Sequence, residues 1–236
     1  MKAFVIHPDR LKERGEHIDR MLKGMGMAYE FVNEGHSDEQ IQAYLDLYMK
    51  DGREKLHQRI PRALCTVSHF LAYEKIMAEG LEGALVLEDD IALSKDFMPR
   101  YEQSLTEYRA HYAEKPILIS YEDSALRFVP RSQREKGRML YPATRGRMAG
   151  AYFVNSLAAK AILIALQRER CDLAIDWYHN ELFDQGVLNC LWCQPTIATQ
   201  GPFSGAFQSA LSTDVSFIRL RWLFKKHYKK LLYWLR

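Results

Sequence analysis

Four cysteines in 236 residues are too few for a disulfide framework. No stretch approaches the roughly 18 uncharged apolar residues of a membrane-spanning helix. With 13 glycines and 8 prolines the chain is neither collagen-like nor of low complexity. The opening Phe4-Val5-Ile6-His7 turns polar at Asp9 and Arg10, too early for the apolar centre of an export signal, so cytoplasmic residence is the expectation. A basic body is missing too. Outside residues 215–236 the chain holds 26 Lys/Arg against 30 Asp/Glu, whereas 215–236 holds seven Lys/Arg and no acid. Nucleic-acid binding needs a basic face on the folded body, so no nucleic-acid partner is expected. What is present is 47% hydrophobic and 27% charged residues, enough to bury one core.

Apolar runs and helical patterns alternate along the chain. Ala3 to Ile6 reads as a strand, Asp9 as an N-cap, and Arg10 to Met25 as an amphipathic helix. Ala28 to Val32 is a second strand, and Ser37 with Gln40 has the form of a capping box. Pro61 suits a first helical turn, with the helix running towards Gly80. Ala84 to Leu87 and Pro116 to Ser120 are continuous apolar runs, as in strands covered on both faces. Residues 122–147 read as an irregular excursion over one end of a sheet. Ala149 to Val154 is a further strand, Ser156 caps a helix from Leu157 to Leu166, and Trp177 to Leu191 is expected to be mostly helical. The order implies one α/β domain over residues 1–214. Cys65 and Cys171 read as buried thiols, and Cys190-x-x-Cys193, with no second pair, as structural.

Glu88-Asp89-Asp90 ends a buried run, and three like charges there are costly without a counter-cation. In open α/β sheets ligands bind beyond the carboxyl ends of strands. In an extended chain Glu88 and Asp90 point to one face and Asp89 to the other, so Glu88 and Asp90 are the expected ligands for Mn²⁺ or Mg²⁺ on a diphosphate. The plainer alternative is an acidic turn capping a following helix. Arg10 and Arg14 follow the first strand, where such folds receive a nucleotide, although Arg10 also fits a solvated helix charge. Upstream, Cys65-Thr66-Val67-Ser68-His69 puts a hydroxyl and an imidazole into an apolar helix, where a lone histidine also fits a satisfied core position.

These residues together resemble glycosyltransferase family 25, the bacterial lipopolysaccharide transferases related to procollagen galactosyltransferases. The likeness rests on Phe4-Val5-Ile6 with Arg10 and Arg14, Cys65 to His69, Leu-Val-Leu-Glu-Asp-Asp, Gly150 to Val154, Asp176, and Gln194-Pro195 through Gln200. Arg62-Ala63-Leu64 and Tyr73 depart from the family's usual Gly and Trp. The resemblance implies a GT-A-like nucleotide-sugar domain with a mostly parallel sheet. It also implies a UDP-sugar donor, most often UDP-galactose, inverting transfer of a hexose to a lipopolysaccharide or lipooligosaccharide acceptor, and a metal at the acidic motif. Donor-binding positions are then Arg14, Ser68, His69, Glu88, Asp89 and Arg147, with Arg145 beside the last. Asp176 is the expected catalytic base, with Glu181 and Asp184 as rivals and His179 as a further metal ligand. Two other readings stay open: a metal-dependent nucleotidyl or phosphoryl transferase, and a catalytically inactive membrane-docked partner of glycan-assembly enzymes.

Residues 215–236 interleave cations with Trp222, Phe224, Tyr233 and Trp234 at helical spacing. That composition suits a basic amphipathic helix lying on an anionic membrane, which places the enzyme peripherally on the inner face of the inner membrane. A helix docked on the body, or on a second subunit, is the alternative.

Overall fold

The computed structural model describes residues 2–32, 36–50, 56–201 and 215–235. Its strands are β1 (Lys2–Ile6), β2 (Ala28–Phe31), β3 (Gly83–Glu88), β4 (Ile91–Leu93), β5 (Ile117–Ser120), β6 (Leu140–Ala143), β7 (Ala151–Asn155), β8 (Asn189–Cys193) and β9 (Ala198–Gln200). The helices are α1 (Lys12–Gly24), α2 (Asp38–Tyr48), α3 (Leu56–Ala78), α4 (Phe97–His111), α5 (Ser156–Arg168), α6 (Ile175–Asp184) and α7 (Val215–Leu235). Seven strands form one sheet in the order β2-β1-β3-β7-β5-β8-β6, and β4 pairs with β9 in a separate ribbon. The pairs β1–β2, β1–β3 and β5–β8 are parallel, and β7 and β6 run against their neighbours. Five strands therefore point one way, as a mostly parallel sheet requires.

The buried runs sort by strand alternation into two cores. Phe4, Val86, Leu118 and Val154 face Val67, Phe70 and Ile76 of α3, with α5 and α6 alongside. Ala3, Val5, Leu85, Leu87, Ile119 and Phe153 face Ile18 and Leu22 of α1 and Phe97, Tyr101 and Leu105 of α4. β3 and β7 approach closely at Gly83. A Cβ there would stand 2.6 Å from the Val154 carbonyl oxygen and 2.8 Å from the Asn155 Cα. Gly83→Ala is expected to cost about 1–3 kcal/mol by overpacking against backbone, read from the urea midpoint.

Several local expectations are corrected. The N-cap of α1 is Leu11, with no side-chain bond, rather than Asp9. Helix α3 starts at Leu56, so Pro61 lies in its second turn. Asn155, not Ser156, caps α5: its Oδ1 accepts from Ala158 N at 2.9 Å. Helix α6 stops at Asp184 because Gly186 takes a positive φ of 70° and the chain turns into β8, so Asn189 to Leu191 is strand. The excursion 122–147 contains β6, which edges the sheet. Ser37 and Gln40 form the expected capping box.

Helix α7 lies against residues 123–134. Lys226 Nζ meets Asp123 Oδ2 at 2.6 Å, and Trp222 Nε1 donates to the Ser124 carbonyl at 3.2 Å. The Tyr233 ring meets Phe128, and the Arg131 guanidinium sits 4.7 Å over Trp234. No described helix is long and apolar enough to cross a membrane.

Candidate active site

The carboxyl ends of β1, β3 and β5 meet the start of the reversed strand β7. Ile6 pairs with Glu88, Leu87 with Ala151, and Ser120 with Tyr152. Polar residues emerge at or just past the end of each apolar run: His7, Glu88 to Asp90, and Glu122. The β4–β9 ribbon borders the same end, with Gly201 N donating to the Asp90 carbonyl.

Alternation separates Glu88 from Asp89 as expected, whereas Asp90, expected on the face of Glu88, lies in the turn after β3 and shares Arg14 with Asp89. Asp89, 4% exposed, falls on the α1 side, where Oδ2 meets His7 Nδ1 at 2.9 Å and Oδ1 accepts from Arg14 Nη1 at 3.1 Å. The same Arg14 nitrogen donates to Asp90 Oδ2 at 3.1 Å. His7 is wedged against α1: a Cβ on Gly15 would stand 2.6 Å from its Nε2. Glu88 turns to the α3 side. Its Oε1 lies 3.7 Å from His69 Nε2 and 3.9 Å from Cys65 Sγ, and its Oε2 accepts from Gln200 Nε2 at 3.3 Å.

Burial, then the charges of Asp89 and Asp176, raises the Glu88 carboxyl to about 7. Burial and then the Glu88 charge raise Asp90 to about 7. Glu122, enclosed with Oε1 on the Gly150 amide at 2.7 Å, is raised by burial to about 8. Asp90 Oδ1 is buried with no hydrogen-bond partner. A stranded carboxylate oxygen beside a second, half-buried carboxylate is a donor set that fits a hard divalent cation.

Because these three acids keep their protons to about pH 7–8 in the fold and release them near pH 4 when unfolded, they stabilise the metal-free protein at low pH. That stability is lost as pH rises through the folded values. Buried His69 and His179, lowered by burial to about 3, act in the opposite sense, but only below the unfolded histidine value near 6.5. Chelator-treated protein should therefore be about 1–2 kcal/mol less stable at pH 8 than at pH 6.5, and Glu122→Gln should flatten that slope in paired thermal melts.

Asp176, in the first turn of α6, joins the group: its charge acts on both Glu88 and His69, and its own carboxyl is raised by burial. Beside it Trp177 is 66% exposed. The rival acids lie elsewhere, Asp184 on Arg145 at 3.2 Å and Glu181 accepting from Gln185. His179 is not at the acidic triplet. It ends a buried chain in which His69 Nδ1 meets Tyr152 Oη at 2.7 Å, Tyr152 meets Tyr73 at 2.5 Å, and Tyr73 meets His179 Nε2 at 2.7 Å.

Two expected donor contacts are placed differently. Ser68 is buried and its hydroxyl donates back to the Leu64 carbonyl at 2.8 Å. Arg147 is wholly buried rather than on a loop surface; it donates to the Cys193 carbonyl at 2.8 Å and lies 4.6 Å over the Trp192 ring. Cys171, Cys190 and Cys193 are buried free thiols, and Cys65 is only partly buried. His7 and Glu122, the contact of Gln200 with Glu88, and the pairing of Tyr73 with Tyr152 were not foreseen. The signal for the first two was present: each follows an apolar run, as Glu88 does.

No curated protein gives a significant match to the sequence. The family model described as glycosyltransferase family 25 (LPS biosynthesis protein) matches residues 1–178, a span that holds His7, Arg14, Cys65, His69, the acidic triplet and Asp176. The chain belongs to glycosyltransferase family 25, and its work is sugar transfer from a donor to an acceptor in lipopolysaccharide biosynthesis.

Proposed function

We propose that the protein is an inverting, metal-dependent hexosyltransferase with a GT-A-like donor site, moving galactose from UDP-galactose to a lipopolysaccharide or lipooligosaccharide acceptor. The observation that carries this reading is Asp90 just past the end of β3, its Oδ1 buried and unmatched, with the charge of Glu88 acting on it. These two side chains would hold Mn²⁺ or Mg²⁺, which when bound offsets charge on a leaving diphosphate. Arg14 positions Asp90 by bridging it to Asp89. Asp176, its proton affinity raised by burial, takes the proton of the acceptor hydroxyl as that oxygen attacks the sugar carbon. Exposed Trp177 offers a face for a sugar ring.

Calorimetric titration of UDP, ADP and GDP, with Mn²⁺ and then with chelator, tests the donor. Binding confined to UDP and dependent on Mn²⁺ is expected. Equal binding of all three, or no effect of chelation, would discard the UDP-sugar reading.

We also propose that α7 holds the enzyme at the inner face of the inner membrane. Its Trp222 and Lys226 are committed to the body, while Phe224, Tyr228, Leu231 and Leu235 share the opposite, exposed face, with Lys225 and Lys229 exposed nearby. Replacing Phe224 and Leu231 together by Ser is expected to weaken binding to anionic vesicles at least about tenfold in a co-sedimentation assay. Unchanged sedimentation would remove α7 from that role.

A further inference from the structure

We propose that Cys65, His69 and Glu88 form a site for a borderline divalent metal ion of the zinc class, chemically distinct from the all-oxygen Glu88–Asp90 pair. Cys65 and His69 are four residues apart on α3, which stacks them one turn apart on a single helix face. Glu88 reaches them from the end of β3. The Cys65 Sγ, His69 Nε2 and Glu88 Oε1 atoms all lie within 4.8 Å of one another. In a tetrahedral zinc site the corresponding atoms stand roughly 3.3–3.6 Å apart, so small side-chain rotations would close the triangle.

A second observation points to a ligand. His69 is completely buried, and its Nε2 has no hydrogen-bond partner although it is aimed at Glu88. Its other nitrogen is fixed by the Tyr152–Tyr73–His179 chain. One direction of donation satisfies that chain: His69 Nδ1–H to Tyr152, Tyr152 to Tyr73, and Tyr73 to His179 Nε2. It leaves the His69 Nε2 lone pair bare towards Cys65 and Glu88. In the reverse direction Nε2 carries a hydrogen with no acceptor in bonding range. A ligating imidazole held through its second nitrogen has this arrangement.

Sulfur, imidazole and one carboxylate select Zn²⁺ or Co²⁺ over Mg²⁺. As the metal–sulfur bond forms, the Cys65 S–H bond breaks and its proton leaves to solvent, so affinity rises with pH. The fourth position is left to water, in the field of the Asp176 carboxylate, whose charge acts on both His69 and Glu88. The site does not depend on the identity of the sugar donor.

The test is titration of the full, chelator-stripped chain with Co²⁺, followed by Zn²⁺. One Co²⁺ per chain is expected, with a near-ultraviolet thiolate-to-cobalt charge-transfer band that Zn²⁺ abolishes. Cys65→Ser should lose the band, and His69→Gln should lower Zn²⁺ affinity by more than about 100-fold. Asp90→Asn should keep the band while weakening Mn²⁺-supported UDP binding, which separates this site from the donor reading. On the unmutated protein, Zn²⁺ should slow alkylation at Cys65 alone, mapped by mass spectrometry, so the outcome does not hinge on a variant folding. Absence of the band, its survival in Cys65→Ser, or Cys65 alkylation indifferent to Zn²⁺ would each overturn the proposal.

Discussion

Glu88→Gln and Asp90→Asn are each expected to lower sugar transfer by roughly 10²–10³-fold while leaving the protein at least as stable as before. The loss follows from the donor set: an amide keeps the shape of the carboxylate but carries no charge to hold a divalent cation at a diphosphate. The unchanged or higher stability follows from the same geometry. Both carboxyls are raised to about 7 by burial and neighbouring acids, so ionisation costs the metal-free fold free energy that an amide does not. Radiolabelled transfer assays beside thermal melts at pH 8 read both quantities. A variant that retains full transfer would remove its residue from the donor site, whereas one that fails to fold would contradict the electrostatic reading.

Asp89, between these two, is expected to behave in the opposite way. Asp89→Ala should destabilise the fold by about 3–5 kcal/mol, as removal of one partner from a buried charged network does. Both carboxylate oxygens are occupied, by His7 and Arg14, and the side chains of all three are nearly inaccessible. His7 has little room to turn elsewhere because α1 passes directly beneath its ring at Gly15. Asp89→Asn keeps the volume and one acceptor oxygen, so it should recover part of the loss. Urea denaturation of the two variants checks the size and the order. On the proposed reading three consecutive acids divide between holding a ligand and holding the scaffold, and a melt with Asp89→Ala indistinguishable from the parent would refute that division.

Much of this architecture was legible in the chain because strand alternation needs only local sequence. The runs at Ala3, Ala84 and Ile117 became buried strands, the faces of Glu88 and Asp89 followed from a period of two, and the Ser37–Gln40 box is local chemistry. The misplaced features depend on partners far away. Asn189 to Leu191 carries a pattern open to helix or strand, and pairing with β5 and β6 decides for strand. Gly186, whose positive φ ends α6, is a local stop signal that the sequence does carry. Arg147 reads as a solvated loop charge until the Cys193 carbonyl and the Trp192 ring are seen to receive it. The cluster of Cys65, His69 and Glu88 joins a helix face to a strand end, a proximity that spacing alone does not encode. His179, expected as a further metal ligand, meets Tyr73 instead for the same reason.

The reversed strand β7 also bears on how the chain is made. On a ribosome β3 and β5 emerge well before residues 151–155, yet in the sheet they never touch, because β7 lies between them. Until it arrives, the edge of β3 that β7 will cover and both edges of β5 are unpaired, and such edges are templates for intermolecular pairing. Chains halted before residue 151 should therefore aggregate, whereas those extending past β8, which joins β5 to β6, can close the sheet. The strand that borders the candidate active site is also the one that joins the two halves of the sheet.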